Sequence, residues 1–269
     1  MIRWILTLFC VLLVFCSTGP VMAQEVQTQD LSKAQIQQIN DLRQEAFAAT
    51  RRGDFPGAEG YWTQLIELLP ENPVGWSNRG NSRVGQNKLE AAIADFNQAI
   101  ELAPEAPDPY LNRGTAYEGQ GRWEEAISDY QRVLELNPND AMAYNNLGNA
   151  KAGQGKWPEA IANYQTSAEL APNFAFARAN YALALYQMGE KEEAISTMRK
   201  LIRKYPQFPD VRAALTAALW EEGKGGEAES NWVAVVGLDR RYEDLDWVSN
   251  VRRWPPLMVQ ALEKFLKLN

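Results

Sequence analysis

Proline recurs at Pro70, Pro104, Pro138, Pro172 and Pro206, and alanine at Ala58, Ala92, Ala126, Ala160, Ala194 and Ala228, every step being 34 residues. A chain that repeats itself at this interval does not wrap one central core. Each copy buries its apolar face against the next, so the fold grows in one dimension by stacking. The clearest copy runs from Asp140 to Pro172 and reads DAMAYNNLGNAKAGQGKWPEAIANYQTSAELAP.

Each unit reads as two helices joined by a tight turn. Gly53, Asn87, Gly121, Gly155, Gly189 and Gly223 fall between the two helices at the same 34-residue spacing. Glycine, and after it asparagine, best tolerates the left-handed backbone that ends a helix, so this column predicts a turn of that kind. Four residues after each column alanine stands a large side chain: Trp62, Phe96, Tyr130, Tyr164, Met198 and Trp232. Positions i and i+4 share one helix face, so small and large together form a packing stripe. Gly80, Gly114 and Gly148 make a further small column on the first helices, with Ala46, Ala182 and Thr216 in its outer copies. The prolines close each unit, since proline cannot continue a helix.

The expected fold is therefore all-α, an array over residues 32–240 with units of about 39–72, 73–106, 107–140, 141–174, 175–208 and 209–240. Residues 24–31 read as a flexible lead-in, and Ser32 with Gln35 fits a capping box that opens a helix running to about Arg52. Residues 241–269 differ in kind. They hold Asp246-Trp247 and Arg252-Arg253-Trp254-Pro255-Pro256, then a helix whose apolar stripe is Leu257, Ala261, Leu262, Phe265 and Leu268. Pro256 suits the first turn of that helix. An open solenoid end exposes apolar surface, so this segment reads as a cap; the alternative is a docking surface built on Trp247, Trp254 and the arginine pair.

Residues 1–23 carry one charge, Arg3, then an apolar run from Trp4 to Cys16, a break at Ser17-Thr18-Gly19-Pro20, and Val21-Met22-Ala23. That layout is a secretory signal cut after Ala23. A membrane anchor through residues 4–22 is the competing reading, although Gly19-Pro20 interrupts it early. Either way the folded part is expected to be exported.

Composition removes whole classes of chemistry. The sequence has no histidine, and its two cysteines, Cys10 and Cys16, both lie in that apolar run. Histidine bases, His metal sites and His-activated nucleophiles are excluded, and nothing gathers carboxylates or lysines for catalysis. With 27 Lys plus Arg against 34 Asp plus Glu, the net charge is −7, which speaks against a nucleic-acid partner. No enzyme, cofactor, metal or small-molecule substrate is expected.

The pattern of Trp76 or Tyr144, Leu147-Gly148, Ala160, Tyr164 and Pro172 resembles the tetratricopeptide repeat family over about residues 39–240. The resemblance implies a right-handed superhelical solenoid whose first helices line a concave groove that takes peptides or protein segments. Asp239, Arg241, Tyr242 and Asp244, together with the tail, further resemble tetratricopeptide proteins of cyanobacteria and of the plant thylakoid lumen. That likeness implies a thylakoid-lumen or periplasmic location and a role in the assembly or maintenance of photosynthetic complexes.

One polar column stands out on the first helices: Asn78, Asn112, Asn146 and Asn180, again 34 residues apart. A carboxamide offers both donor and acceptor, so a ladder of them can pair with the C=O and N–H of an extended peptide. Asn81 and Asn149, three residues on from Asn78 and Asn146, extend the same face. Arg79 and Arg113 stand beside the ladder and could meet acidic partner groups. The expected function is a non-enzymatic scaffold that holds a peptide or protein segment in the groove through these eight residues. The alternative is a structural or oligomeric assembly factor that docks through its convex face or the Trp-rich tail.

Overall fold

A computed structural model describes residues 32–267, so the expected signal segment, the lead-in and the last two residues lie outside the described part. Among the described residues there are fourteen α-helices, one 3-10 turn and no strand. In chain order these are α1 (Lys33–Arg51) and α2 (Phe55–Leu68), α3 (Pro73–Gly85) and α4 (Leu89–Leu102), α5 (Pro107–Gly119) and α6 (Trp123–Leu136), α7 (Ala141–Gly153) and α8 (Trp157–Leu170), α9 (Ala175–Gln187) and α10 (Lys191–Lys204), and α11 (Pro209–Glu221) and α12 (Gly225–Leu238). After these six hairpins come the 3-10 turn Arg240–Glu243, the short α13 (Leu245–Asn250) and α14 (Pro256–Leu266).

Local chemistry sets these boundaries. Ser32 and Gln35 form the capping box at the start of α1, while Asp54, Asn72 and Asp140 cap α2, α3 and α7 through their side-chain oxygens. All six turn residues are left-handed, from φ 59° at Asn87 to φ 88° at Gly189. The amide after each one reaches back five residues, as from Lys88 to the carbonyl of Arg83 (2.8 Å) and from Lys224 to that of Leu219 (3.0 Å). Those bonds satisfy carbonyls that a helix end would otherwise leave open. The proline column is engaged as well. Trp76, Tyr110 and Arg212 each donate a side-chain hydrogen to the carbonyl of the proline six residues earlier.

Packing explains the small and large columns. The six column alanines are fully buried, and Phe96, Tyr130, Tyr164 and Met198 are buried with them. A methyl on Gly80, Gly114 or Gly148 would stand 2.6 Å from the ring of Phe96, Tyr130 or Tyr164 respectively. Those glycines are there because an aromatic ring of the second helix lies directly on the backbone of the first. First helices of neighbouring units also touch one another (α3 with α5, α5 with α7, α7 with α9, α9 with α11), which second helices do not do to the same extent. The first helices are therefore on the inside of the curve.

The final helix is present and buries Met258, Ala261, Leu262 and Phe265, with the Phe265 ring edge-on to Trp220 (5.4 Å) and Trp232 (5.3 Å). It shields the last unit from a side that was not expected. A cap that extended the stack would pack chiefly on α12 as each first helix packs on the preceding second helix; α14 instead packs mainly on α11 and α9 and meets α12 through the Trp232 ring. Leu257, expected on its apolar stripe, is exposed, and Met258 takes the buried place. The reason is local: Leu257 sits in the first turn, where its amide is held by the side-chain oxygen of Gln187 (2.9 Å).

The ring-on-glycine contact generates a paired prediction. Gly114→Ala should destabilise the chain by about 1–3 kcal/mol, because the Tyr130 ring is held at its far end by Glu118 and cannot step aside. Gly60→Ala on α2, where a methyl meets nothing within 4 Å, should stabilise by up to about 1 kcal/mol. Denaturant titration of both variants checks the two signs.

A candidate groove roofed by the chain's own tail

The polar column faces the inner side of the array, and its members fall into different situations. Asn78 donates to the carbonyl of Val74 in its own helix (2.8 Å). Asn81 is exposed, Asn112 is half-buried, and neither side chain is engaged within the described residues. Asn146 accepts from Asn145 (3.1 Å). Asn180 donates to both Asn145 (3.0 Å) and Asn149 (3.2 Å), and Asn149 also accepts from the Tyr164 hydroxyl (3.0 Å). A connected amide cluster thus joins α7 to α9. Its internal bonds leave the Asn149 amide hydrogens and the Asn180 carbonyl oxygen without a partner in the described residues.

Asn145 was absent from the sequence expectation. Its counterparts in the other five units are Arg43, Ser77, Leu111, Ala179 and Ala213, so no column marks it. It meets Asn180 across 35 residues, one off the repeat, because this position faces the following position of the next unit. The doublet Asn145-Asn146 was the available signal.

Arg79 and Arg113 do something other than what was expected of them. Arg79 grips Asp95 with two nitrogens (3.0 and 2.7 Å) and Arg113 grips Asp129 likewise (2.8 and 2.6 Å). Their remaining nitrogens reach Thr63 and Asn97 on the preceding second helix. Both guanidinium groups are thus spent inside the array, clamping a first helix to the second helices on either side of it. Two-pronged pairs of this kind resist rearrangement, so these arginines stay with the scaffold.

A cleft of about 920 Å³ lies where α5, α7 and α9 meet the segment 249–256. Asn145, Asn149 and Asn180 line it, with Trp123, Trp157, Tyr164, Phe176 and Leu183. Asn78, Asn81, Asn112 and Asn146 lie outside it. The tail therefore crosses the inner face as a strap and does not lie only at the end of the stack.

Two buried carboxylates receive this strap. Asp210, in the first turn of α11, accepts from the Tyr242 hydroxyl (2.7 Å), the Trp254 indole (3.0 Å) and Arg252 Nε (3.0 Å), and Arg252 Nη2 lies 2.8 Å from its other oxygen. Tyr242 stacks edge-on with Trp247 (5.2 Å), so the aromatic residues of the tail are committed to the array. Glu118, in the last turn of α5, accepts from the Tyr130 hydroxyl (3.0 Å) and from Arg253 Nη1 (2.9 Å), 135 residues along the chain. Burial raises the Glu118 carboxyl above its ordinary range, and the Arg253 charge pulls it back. Arg253 is left-handed (φ 54°), a conformation that costs a non-glycine residue on the order of 1–2 kcal/mol. On the rim, Lys264, Lys191 and Tyr186 converge on Glu221 and hold its carboxyl down to about 2, the Lys264 bond contributing most.

The strap's two ends are held unequally. Met258, Leu262 and Phe265 are buried at about 1.5–3 kcal/mol per side chain, whereas the other end hangs on one nitrogen of the exposed Arg253 reaching Glu118. The α14 end is the firm one, with Asp210 as its polar pin. Asp210→Asn should leave Arg252 partly unpaired and loosen the tail by about 3 kcal/mol. Hydrogen exchange in α14 should quicken by roughly a hundredfold, while rates in α3–α8 stay put.

Models of the tetratricopeptide repeat match residues 44–107, 77–141 and 111–175, and a second such model matches residues 151–230. No curated protein sequence matches the chain. Among solved structures, the Cut9–Hcn1 hetero-tetramer of the APC/C aligns at 16% identity and TM-score 0.65, covering 85% of this chain and 46% of that one. TTC0263, a thermophilic TPR protein of Thermus thermophilus, aligns at 20% identity and TM-score 0.59, covering 68% and 99%. YrrB, described as a TPR protein with an unusual peptide-binding site, aligns at 20% identity and TM-score 0.51, covering 76% and 97%. At these identities the likeness is one of fold alone.

Proposed function

The chain belongs to the tetratricopeptide repeat family, a protein-interaction fold, and from that premise we propose that it holds an extended segment of a partner protein along its inner face. The observation that carries the reading is the amide cluster on α7 and α9. Its free Asn149 hydrogens and Asn180 oxygen offer one donor and one acceptor, the pair an extended backbone needs. Asn112 and Asn81, with no bond to give up, would continue the grip along α5 and α3. Exposed Phe176 beside the cluster supplies apolar contact for a side chain of the segment. A ligand held by its backbone is chosen weakly by sequence, so the scaffold suits a segment presented during assembly of a larger complex. The photosynthetic setting rests on the resemblance of the tail alone.

A photo-reactive residue tests this directly. Placed at Phe176 it should cross-link a partner from native membrane or soluble extracts, whereas at Val233 on α12, outside the cleft, it should not. Asn112→Ala with Asn180→Ala should weaken capture about tenfold, since two lost amide bonds amount to about 1–3 kcal/mol. Cross-links from position 233 alone, or capture indifferent to the two amides, would reject the groove.

We also propose export with removal of residues 1–23, which the sequence pattern supports. Mass spectrometry of the native N-terminal peptide should find a start at Gln24, as glutamine or its cyclised pyroglutamate form; a Met1 start would favour the anchor.

A further inference from the structure

Arg252 and Arg253 are neighbours with opposite characters. Arg252 is fixed by Asp210 and the aromatic residues around it, deep at the foot of the strap. Arg253 is exposed, adopts a backbone conformation that does not suit it, and reaches across the groove with a single nitrogen to Glu118. Its guanidinium lies 5.7 Å from the Trp123 ring. The receiving side is far better built than the residue it receives. Glu118 is 9% exposed, is backed by the buried Tyr130 hydroxyl, and is carried on a helix of the rigid central units. A buried carboxylate beside an indole face is a receptor for a planar cation.

We propose that Glu118, Tyr130 and Trp123 form an arginine seat in the groove, filled in this structure by the chain's own Arg253, and that the partner segment brings an arginine that takes the same place. This rests on the groove reading above and names the chemistry of its ligand: a basic, extended segment. The strap can yield locally, because Arg252 and α14 hold the tail to α11 whether or not Arg253 is seated. Ser249, Asn250 and Val251 on its near side are exposed, while Trp254 and Pro255 on its far side are buried, so what yields is the Arg253 side chain and the residues before it. The net charge of −7 favours a basic visitor over an acidic one.

Arg253→Gly is the informative variant, since glycine accepts φ 54° and empties the seat of the whole side chain without straining the backbone. The probes are labelled acetyl-Gly-Ala-Arg-Ala-Gly-amide and the same peptide with citrulline, its uncharged near-isostere, in place of arginine. The full chain carrying Arg253→Gly should bind the arginine peptide at least tenfold more tightly than the parent chain does. It should also prefer arginine to citrulline at least tenfold, and adding Glu118→Gln should erase that preference. Equal binding of the two peptides, with sensitivity to Asn180→Ala, would overturn the seat and leave the groove reading standing. No binding of either peptide at millimolar concentration, with photo-capture at position 176 also absent, would remove both. A dimer that forms only when parent and Arg253→Gly chains are mixed would assign the seat to a second copy and overturn the partner reading.

Discussion

An aromatic ring resting on a bare α-carbon sets the geometry of this molecule. In the three central hairpins the ring of Phe96, Tyr130 or Tyr164 occupies the space a side chain would take on Gly80, Gly114 or Gly148. That contact fixes how close the two helices come, and the close approach repeated every 34 residues fixes the curvature. Curvature in turn decides which first-helix residues look inward. The rule relaxes toward the C-terminal end, where Ala182 is paired with the flexible Met198 in one buried cluster, so that a methyl can be accommodated. Two-pronged Arg79–Asp95 and Arg113–Asp129 clamps lock the same central units from the polar side. Units two to four are thereby the tightly fixed part of the groove, and they carry Glu118 and the α7 half of the amide cluster.

The inner face changes character along its length, and the tail follows the change. At one inward position of successive first helices stand Asn81, Thr115, Asn149, Leu183 and Ala217. Polar residues in units two to four leave that stretch able to face water or a ligand backbone. Leucine and alanine in units five and six leave an apolar surface that must be covered, and small side chains let a helix lie close. Placing α14 there buries that surface without extending the stack, which explains why α11 is buried on nearly all sides. The covered and uncovered halves meet at the cleft. A site at such a boundary has apolar walls and fixed amides together, which is the composition that ligand clefts share.

What repeats was legible in the sequence. The turn column gave left-handed residues at every position including Asn87, and the capping box at Ser32, six helical hairpins and a last helix opening at Pro256 are all present. The clamps were equally readable after the fact: Arg79 and Arg113 each find an aspartate 16 residues on, and both columns step by 34. Attention to the arginines alone suggested free cations. What does not repeat was hidden. Asn145 and Glu118 each occur once, Asp210 recurs only as Asp108 three units earlier, and the strap residues that reach the two carboxylates lie 44 and 135 residues away in a tail with no period. Long-range pairing of single residues leaves no local trace, and only the folded chain reveals that residues 240–267 turn back onto the array and reach Glu118 through Arg253.

Self-occupation alters what such a groove can select. Amides that read backbone accept almost any extended chain, so alone they would bind many segments weakly. An arginine tethered in the same channel competes at an effective concentration on the order of millimolar, and a visitor must exceed it. The left-handed strain at Arg253 acts in the other direction to the extent that unseating the guanidinium lets the residues before it relax. A filled seat that is held poorly, beside an anchor that is held well, lowers apparent affinity by the fraction of time the seat is open and leaves the fold untouched. In the proposed binding mode discrimination falls to the carboxylate at the end of α5 and not to the amides, because only a segment bearing the right cation would displace the one already there.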